Sequence, residues 1–130
     1  MNLELKNAAG EVYSRNLYWL GAHNSSYRRL NHLSAASLSA TAKSARADDM
    51  IRIHVELRNT GSVVALENKL TLLDAGGSRI LPVYYSDNYV SLLPGETRDI
   101  DVEYPLKSAT GAAQLSLRGW NISNQTIDVK

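Results

Sequence analysis

The chain has 130 residues, and its 14 basic and 13 acidic side chains are interspersed, for a formal net charge of +1. This length fits one domain. Because the positive and negative charges nearly cancel, the chain has no strong field that would draw it to nucleic acid or to an anionic membrane. The absence of cysteine excludes disulfides and thiolate metal sites, and no segment approaches the ~18 consecutive apolar residues of a membrane span.

The N-terminal part of the chain carries the least regular pattern. Residues 3–6 and 11–20 are predicted to pair as a hairpin around a turn at residues 7–10. Residues 27–33 are predicted to form one helical turn, and the weak alternation of residues 35–43 suggests an edge strand. The first residues lack the basic region and apolar run of a signal peptide, so we expect none within this sequence.

The clearest strand is predicted over residues 51–59, where apolar and charged side chains alternate with a period of two. The apolar set is Ile51, Ile53, Val55 and Leu57, and the charged set is Arg52, His54, Glu56 and Arg58. A turn at residues 59–62 separates this strand from a second one at residues 63–74. Asn68 is the polar exception on the apolar face of the second strand. A glycine-containing turn follows at residues 74–78.

The C-terminal half continues with short strands between turns. Residues 79–85 are predicted to form an edge strand or an irregular crossing, because Pro82 interrupts them. A turn at residues 92–96 has Pro94 and Gly95 at its centre, and strands are predicted at residues 97–104, 112–122 and 126–129, the last at a sheet edge. Short strands separated by turns, without amphipathic helices between them, favour an all-β antiparallel sandwich.

Motifs for catalysis or metal binding are missing from the sequence. Asp99, Asp101 and Glu103 share one face of one predicted strand, which is typical of a solvated face and not of a general acid and base held in different environments. No two histidines show helical metal-ligand spacing, and neither a Gly-x-Ser-x-Gly elbow nor a phosphate-binding glycine loop occurs. We therefore expect no catalytic residue, no metal site and no cofactor, although spacing leaves open a triad assembled from distant residues.

The aromatic residues admit two interpretations. Phenylalanine is absent, so Trp19, Trp120 and seven tyrosines supply all the rings. Tyrosine and tryptophan combine an apolar face with a polar group, which suits a platform for stacking sugars. We favour the other interpretation, in which both tryptophans pack in the core or against another domain, because large aromatic side chains dominate core and interface energetics.

Three segments together resemble a known domain family. The first is residues 12–20, which end in Asn16-Leu17-Tyr18-Trp19-Leu20. The second is residues 84–96, which run from Tyr84 to Glu96 and contain Asp87-Asn88-Tyr89 and Leu93-Pro94-Gly95. The third is residues 117–121, which contain Gly119-Trp120-Asn121. Between them, residues 55–61 end a strand with Asn59-Thr60-Gly61. This set is similar to the C-terminal immunoglobulin-like domain of glycoside hydrolase family two enzymes, particularly exo-β-D-glucosaminidases and β-mannosidases, and the similarity covers nearly the whole chain.

This resemblance implies an immunoglobulin-like antiparallel β-sandwich formed by residues 1–130 as a single accessory domain, a fragment of a larger multidomain retaining glycosidase. In that family two glutamates on a (β/α)₈ barrel perform the chemistry. A chain of 130 residues is too short for the roughly 250 residues of such a barrel, so we expect the fragment to be inactive alone. Its partners would be the other domains of the parent, especially the barrel. A periplasmic or secreted parent is a further expectation.

The candidate contact residues are Asp87, Asn88, Tyr89, Trp19 and Trp120. A polar loop on a rigid sandwich suits contacts with another domain or with a sugar, but Asp87 and Asn88 could instead only satisfy local backbone donors. For a buttress of the barrel we expect an exposed apolar patch rimmed by polar groups. The alternatives are a carbohydrate-binding module with Trp19, Tyr89 or Trp120 as its platform, and an adhesion domain unrelated to glycosidases.

Overall fold

The computed structural model describes residues 1–109 and 111–130, without the side chains of residues 24 and 25. The chain forms two compact units, Met1–Leu33 and Ser34–Lys130. Within the described residues the regular elements are β-strands and short 3₁₀ helices, and none of the described helices is long and apolar enough to cross a membrane.

The N-terminal unit is a hairpin followed by a 3₁₀ helix. Strands β1 (Asn2–Lys6) and β2 (Val12–Leu17) pair antiparallel, which confirms the predicted hairpin. The Asn7 side chain shapes the turn, since its Oδ1 accepts the backbone N–H groups of Ala9 at 3.0 Å and Glu11 at 2.9 Å. The 3₁₀ helix spans Asn24–His32, so the predicted helical turn exists but begins earlier than residue 27.

The C-terminal unit is built from two four-stranded antiparallel sheets. Its strands are β3 (Leu38–Ala47), β4 (Met50–Asn59), β5 (Ala65–Leu73), β6 (Tyr84–Tyr85), β7 (Val90–Leu92), β8 (Thr97–Pro105), β9 (Gln114–Arg118) and β10 (Gln125–Asp128). One sheet has the order β3-β4-β8-β6 and the other has the order β10-β9-β5-β7. The predicted all-β antiparallel fold is therefore confirmed.

The core of this unit follows from the period-two alternation of its strands. In β4 the side chains of Ile53, Val55 and Leu57 are fully buried, whereas the charged residues between them are exposed. The same alternation buries Ile100 and Val102 of β8. The opposite sheet buries Leu70, Leu72, Leu115 and Leu117. Each such side chain contributes about 1.5–3 kcal/mol by leaving water, so the aliphatic faces account for the pairing of the two sheets.

Several sequence-based boundaries differ from the structure. Strand β7 was not predicted, because three residues are too few to show an alternation. Residues 79–85 contribute only Tyr84–Tyr85 as a sheet-edge strand and a single bridge between Arg79 and Leu73. The strand predicted at 112–122 shortens to Gln114–Arg118, and the edge strand predicted at 35–43 shifts to Leu38–Ala47, because pairing with β4 extends it.

Two asparagines are completely buried in the sandwich, Asn59 and Asn68. The Asn59 Nδ2 donates to the carbonyls of Val63 at 2.8 Å and Leu92 at 2.9 Å, and its Oδ1 accepts the N–H of Gly61. Asn59 thus ties the end of β4 to β7, a role that exceeds the turn chemistry predicted from the sequence. Burial of a polar group is tolerated here because its hydrogen bonds are made.

The turn predicted at residues 92–96 is confirmed as a tight β-turn. The N–H of Glu96 donates to the carbonyl of Leu93 at 3.0 Å, and Gly95 has a φ of 77°. Proline followed by a residue with positive φ is the type II arrangement, in which glycine is favoured at the third position. The turn connects β7 of one sheet to β8 of the other and so sets the spacing between the sheets.

Candidate functional site

The candidate residues Asp87, Asn88 and Tyr89 lie in one loop, which connects β6 to β7. The loop begins at Ser86, whose N–H donates to the carbonyl of Asp101 at 2.8 Å and whose Oγ accepts the Asp101 N–H at 2.9 Å. These two bonds continue the pairing of the loop with β8 beyond the short strand β6. The loop therefore starts from a fixed point on one sheet and ends on the other.

Asp87 combines a local hydrogen bond with an ion pair. Its Oδ1 accepts the N–H of Asn88 at 2.8 Å, and its Oδ2 accepts a hydrogen bond from Arg98 Nη1 at 3.0 Å. Arg98 also lies 3.5 Å from Glu96 Oε1, and its side chain is only 19% exposed. Arg98 was not singled out from the sequence, because its position between the carboxylates of Asp87 and Glu96 depends on the folded structure.

The Asn88 side chain hydrogen-bonds to the backbone of β5 on the edge where β7 no longer pairs with it. Its Oδ1 accepts the N–H of Leu70 at 2.8 Å and its Nδ2 donates to the Leu70 carbonyl at 3.0 Å. The Oδ1 also accepts the N–H of Tyr89 at 3.0 Å. The side chain thus makes the two bonds that a paired residue of a neighbouring strand would make. The structure favours a structural role for Asn88, although its main partner is distant in sequence and not local.

Tyr89 is presented to solvent by an unusual backbone. Its φ is 58° and its side chain is 56% exposed. A bulky residue in this region is strained and persists only when its neighbours impose it. The neighbours here are Asn88, held by β5, and the buried Val90. The Lys69 ammonium lies 5.1 Å from the centroid of the Tyr89 ring, which is within range of a cation–π interaction.

Trp120 lies on an exposed turn after β9, flanked by two residues that pack closely. A Cβ added to Gly119 would come within 2.5 Å of Asn68 Oδ1, so only glycine fits there. Asn121 bonds to Leu66, Val64 and Ser34 through its side chain. Trp120 is 54% exposed, so it is not a core residue of this unit, because the chain leaves the ladder at Arg118. The other part of the interpretation, packing against another domain, stays a prediction.

The five candidate residues are not all in the same unit. Trp19 is half-buried in Met1–Leu33, where its carbonyl accepts a hydrogen bond from the Tyr27 hydroxyl at 3.1 Å. The other four residues belong to Ser34–Lys130. Tyr89 precedes a residue paired with Asn68, and the Trp120 N–H bonds to the Leu66 carbonyl. Tyr89 and Trp120 therefore lie beside opposite edges of β5.

Exposed apolar side chains are concentrated in Met1–Leu33. The large ones in this unit are Met1, Leu3, Leu5, Val12, Tyr13, Tyr18, Leu20 and Tyr27. Leu3 and Leu5 lie two residues apart and so share one face of the hairpin. Between them, Glu4 points the other way and forms ion pairs with Arg15 at 2.6 Å and Lys6 at 2.7 Å. One face of the hairpin therefore carries the two exposed leucines beside their cross-strand partners Asn16 and Ser14, and the other face carries the ion pairs.

The acidic residues of β8 form cross-strand pairs on the outer face of their sheet. Glu103 accepts a hydrogen bond from Arg52 at 2.7 Å, and Asp101 lies 3.0 Å from His54 Nδ1. The hydrogen bond with Asp101 is the main cause that raises the pKa of His54 above its ordinary value of 6.5. Asp99 and Asp101 are exposed and Glu103 is half-buried. The prediction of a solvated face is confirmed, and each pair is worth little because it is exposed.

Among residues 1–109 and 111–130, no group of three or more histidine, aspartate and glutamate side chains is arranged to hold a metal ion. The 86–89 loop presents an exposed ring, a paired carboxylate and a nearby ammonium. Lys69 is the member that the sequence reasoning missed. Its outward position could have been read from the alternation of β5, but its proximity to Tyr89 could not.

Two facing antiparallel sheets with these connections define an immunoglobulin-fold β-sandwich. A family model described as the exo-β-D-glucosaminidase Ig-fold domain matches residues 16–122. The chain belongs to this family, which confirms the predicted resemblance to glycoside hydrolase family two enzymes. The assignment argues against the alternative of an adhesion domain unrelated to glycosidases.

Similar proteins are much longer than this chain. It is 35% identical to an exo-β-D-glucosaminidase of Streptomyces avermitilis over 96% of its own length and 16% of that protein. It is 40% identical to a mannosylglycoprotein endo-β-mannosidase of Lilium longiflorum over 62% of its length and 9% of that protein. The crystal structure of an Amycolatopsis orientalis exo-chitosanase superposes with a TM-score of 0.86 at 29% identity, covering 95% of this chain and 17% of that one. The chain thus corresponds to a small portion of larger glycosidase chains.

Proposed function

We propose that residues 1–130 are one non-catalytic accessory domain of a longer exo-acting β-glycosidase of the exo-β-D-glucosaminidase or β-mannosidase type. In this proposal the domain packs against the catalytic barrel and supports it, and the isolated chain catalyses no reaction. The observation that carries the proposal is the concentration of exposed apolar side chains in Met1–Leu33, where Leu3 is 49% exposed and Leu5 is 63% exposed on one face of the hairpin. An exposed face of this kind marks a contact surface for another part of a protein.

The hairpin also needs contacts with another part of the protein to be stable. A two-stranded hairpin is at best marginally stable in water, and every residue of β1 is exposed. Docking on another domain would bury Leu3 and Leu5 and leave the ion pairs of Glu4 in water. The share of the relatives that the chain spans, 16% for the Streptomyces avermitilis protein, supports the presence of such domains.

The proposal is tested by comparing the same substitutions in two contexts, the 130-residue chain and the complete protein encoded by its reading frame. We expect Leu3→Ser with Leu5→Ser to change the free energy of unfolding of the 130-residue chain by no more than about 0.5 kcal/mol, as for other exposed sites. In the complete protein the same pair should lower the temperature at which hydrolysis of p-nitrophenyl-β-D-glucosamine is lost.

Leu93→Ser is the matched control, since Leu93 is an exposed leucine at 45% in the other unit. It should have no effect in either context. Equal effects of the hairpin variant in both contexts would contradict docking. A reading frame that encodes no barrel beside this domain would overturn the proposal outright.

A second candidate function is a carbohydrate-binding module, which the exposure of Tyr89 and Trp120 favours. Sugars stack on exposed aromatic rings, and both rings are more than half exposed. The charge beside Tyr89 weighs against the amino sugars that the relatives' names suggest, because the Lys69 ammonium would repel the ammonium group of a glucosamine unit.

An NMR titration of the chain with glucosamine and mannose oligosaccharides separates the two functions. Saturable amide shifts around Tyr89 or Trp120 that disappear in Tyr89→Ala or Trp120→Ala would establish sugar binding. Tyr84→Ala is the control, because Tyr84 is also an exposed tyrosine, at 61%, but lies outside the proposed platform. Absence of shifts at millimolar sugar would leave the supporting role as the function of the domain.

A further inference from the structure

The edge of strand β5 is closed by side chains and not by a neighbouring strand. Strand β7 pairs with β5 only at Ala65 and Asn68, although β5 continues to Leu73. Beyond that point Asn88 satisfies the N–H and carbonyl of Leu70. The Tyr85 hydroxyl accepts the N–H of Leu72 at 2.9 Å, and the Leu72 carbonyl accepts the N–H of Ile80 at 3.2 Å. The space that a strand's backbone would fill is left open.

That space is a cavity of about 130 Å³. Its apolar lining comes from Leu70, Leu72, Ile80, Leu81 and Val83. The volume is close to the roughly 150 Å³ of an engineered cavity in another protein that binds benzene. A small branched or cyclic group therefore fits it, and contact with the aliphatic lining would favour binding because it removes methylene groups from water.

The charged residues of the cavity lining are both cationic, beside the neutral polar residues Thr71, Tyr85 and Asn88. Lys69 and Arg79 both contribute to it, and within residues 1–109 and 111–130 neither forms an ion pair with a carboxylate. Lys69 has only the cation–π contact with Tyr89. Burial raises the pKa of the Tyr85 hydroxyl above its ordinary value, and the positive charge of Arg79 has a smaller effect in the opposite direction. The hydroxyl therefore stays protonated at neutral pH.

The Tyr85 hydroxyl retains one hydrogen-bond donor for a ligand. A phenol can accept and donate at once; here the oxygen accepts the Leu72 N–H, and no acceptor for its own proton is present among the described residues. The residues that carry a free O–H donor, a guanidinium and an ammonium thus all line the same largely apolar cavity. This is the donor set that a carboxylate recognises, because carboxylates accept charge-assisted hydrogen bonds from all three.

We propose that this cavity binds a carboxylate carried on a small branched aliphatic stem. The stem occupies the space between Leu70, Leu72 and Ile80, and the carboxylate oxygens meet Tyr85, Arg79 and Lys69. The acidic group is the end of an organic acid or of an acidic side chain next to an apolar one. A sugar acid shares the carboxylate but has a polar ring, which the aliphatic lining disfavours. This inference does not depend on the supporting role proposed above.

The test is an amide NMR titration of the 130-residue chain with 4-methylpentanoate. Its neutral isostere, 4-methylpentanamide, reports the contribution of the charge, and glucuronate reports the alternative source of the carboxylate. We expect saturable shifts at the amides of Leu70, Leu72 and Ile80 with 4-methylpentanoate, and binding weaker by about tenfold or more with the amide, since hydrogen bonds to charged groups contribute about 1.5–3 kcal/mol.

The matched variants are Lys69→Gln with Arg79→Gln, and Lys43→Gln with Lys107→Gln as a control that removes the same charge from exposed sites outside the cavity lining. The first pair should weaken binding of the acid about tenfold or more and the second pair should not. The amide spectra of both variants also report whether the fold is kept. Equal affinity for acid and amide, equal loss in both variants, or no saturable shift at about 50 mM acid would overturn the proposal. Tighter binding of glucuronate would overturn the aliphatic stem.

Discussion

Met1–Leu33 and Ser34–Lys130 differ in how far they bury their apolar side chains. The sandwich unit fully buries residues from both of its sheets, such as Leu57 and Leu115, whereas the hairpin leaves Leu3 and Leu5 in water. The two strands of the hairpin pair along their length apart from a register shift between Leu5 and Lys6, so backbone pairing is not what chiefly distinguishes the regions. The difference is the second apolar layer, which only the sandwich contains, and it shows that a paired ribbon without an opposing layer has little to stabilise it.

The strongest test of this contrast is amide hydrogen exchange. Amides in the centre of β4, between β3 and β8, should exchange only through global unfolding, with a protection free energy of about 5–15 kcal/mol. Amides of β1 and β2 should be protected by no more than about 2 kcal/mol, because local opening of the hairpin exposes no buried core. Comparable protection in both regions would show that the hairpin gains stability from contacts that its exposure does not reveal.

A core truncation tests the same contrast by mutation. Leu57→Ala should lower the free energy of unfolding by about 2–5 kcal/mol, since it removes a fully buried side chain and leaves a cavity. Leu5→Ala is the matched control in the hairpin and should change that free energy by no more than about 0.5 kcal/mol. Urea denaturation of both variants measures the difference, and similar losses would contradict the two-region description.

A close approach inside the sandwich gives a smaller effect. Gly119→Ala should cost about 1–3 kcal/mol, because its Cβ would come within 2.5 Å of the buried Asn68 Oδ1. Gly76→Ala is the control: its Cβ would meet only Asp74 Oδ1, at 3.3 Å on an exposed turn. A neutral result for Gly119→Ala in urea denaturation would mean that β5 and the 119–121 turn can separate without loss.

The smallest effect concerns the outer face of the sandwich. His54 should titrate above 6.5, and Asp101→Asn should lower its pKa, because the bond with Asp101 is the largest cause of the shift. A raised folded-state pKa means that the stabilising contribution is complete below pH 6.5 and is lost as the pH rises through the folded pKa. NMR titration of the His54 ring measures this, and Glu103→Gln, which alters the pair with Arg52, should leave the pKa nearly unchanged.

The sequence predicted the elements whose pattern is local. Strands β4 and β8 were found because alternation over eight or more residues gives a clear period of two, and the turn at Pro94 and Gly95 was found because its chemistry lies within four residues. Strand β7 was missed, since three residues carry no measurable period. The candidate residues Asp87, Asn88 and Tyr89 were found as a group by resemblance, but the role of each was not.

By itself the sequence determined that the chain is an all-β sandwich, because the faces of a strand follow from the order of its residues; the immunoglobulin type came from the resemblance of its segments to a known family. Only the tertiary structure decided that Trp120 is exposed, that Asn88 replaces a strand beside Leu70, and that Lys69, Arg79 and Tyr85 meet at one cavity. Those outcomes depend on contacts between residues far apart in the chain, such as Asn121 and Val64. A periodic pattern states which face a residue occupies, but it contains no information about which distant residue that face will meet.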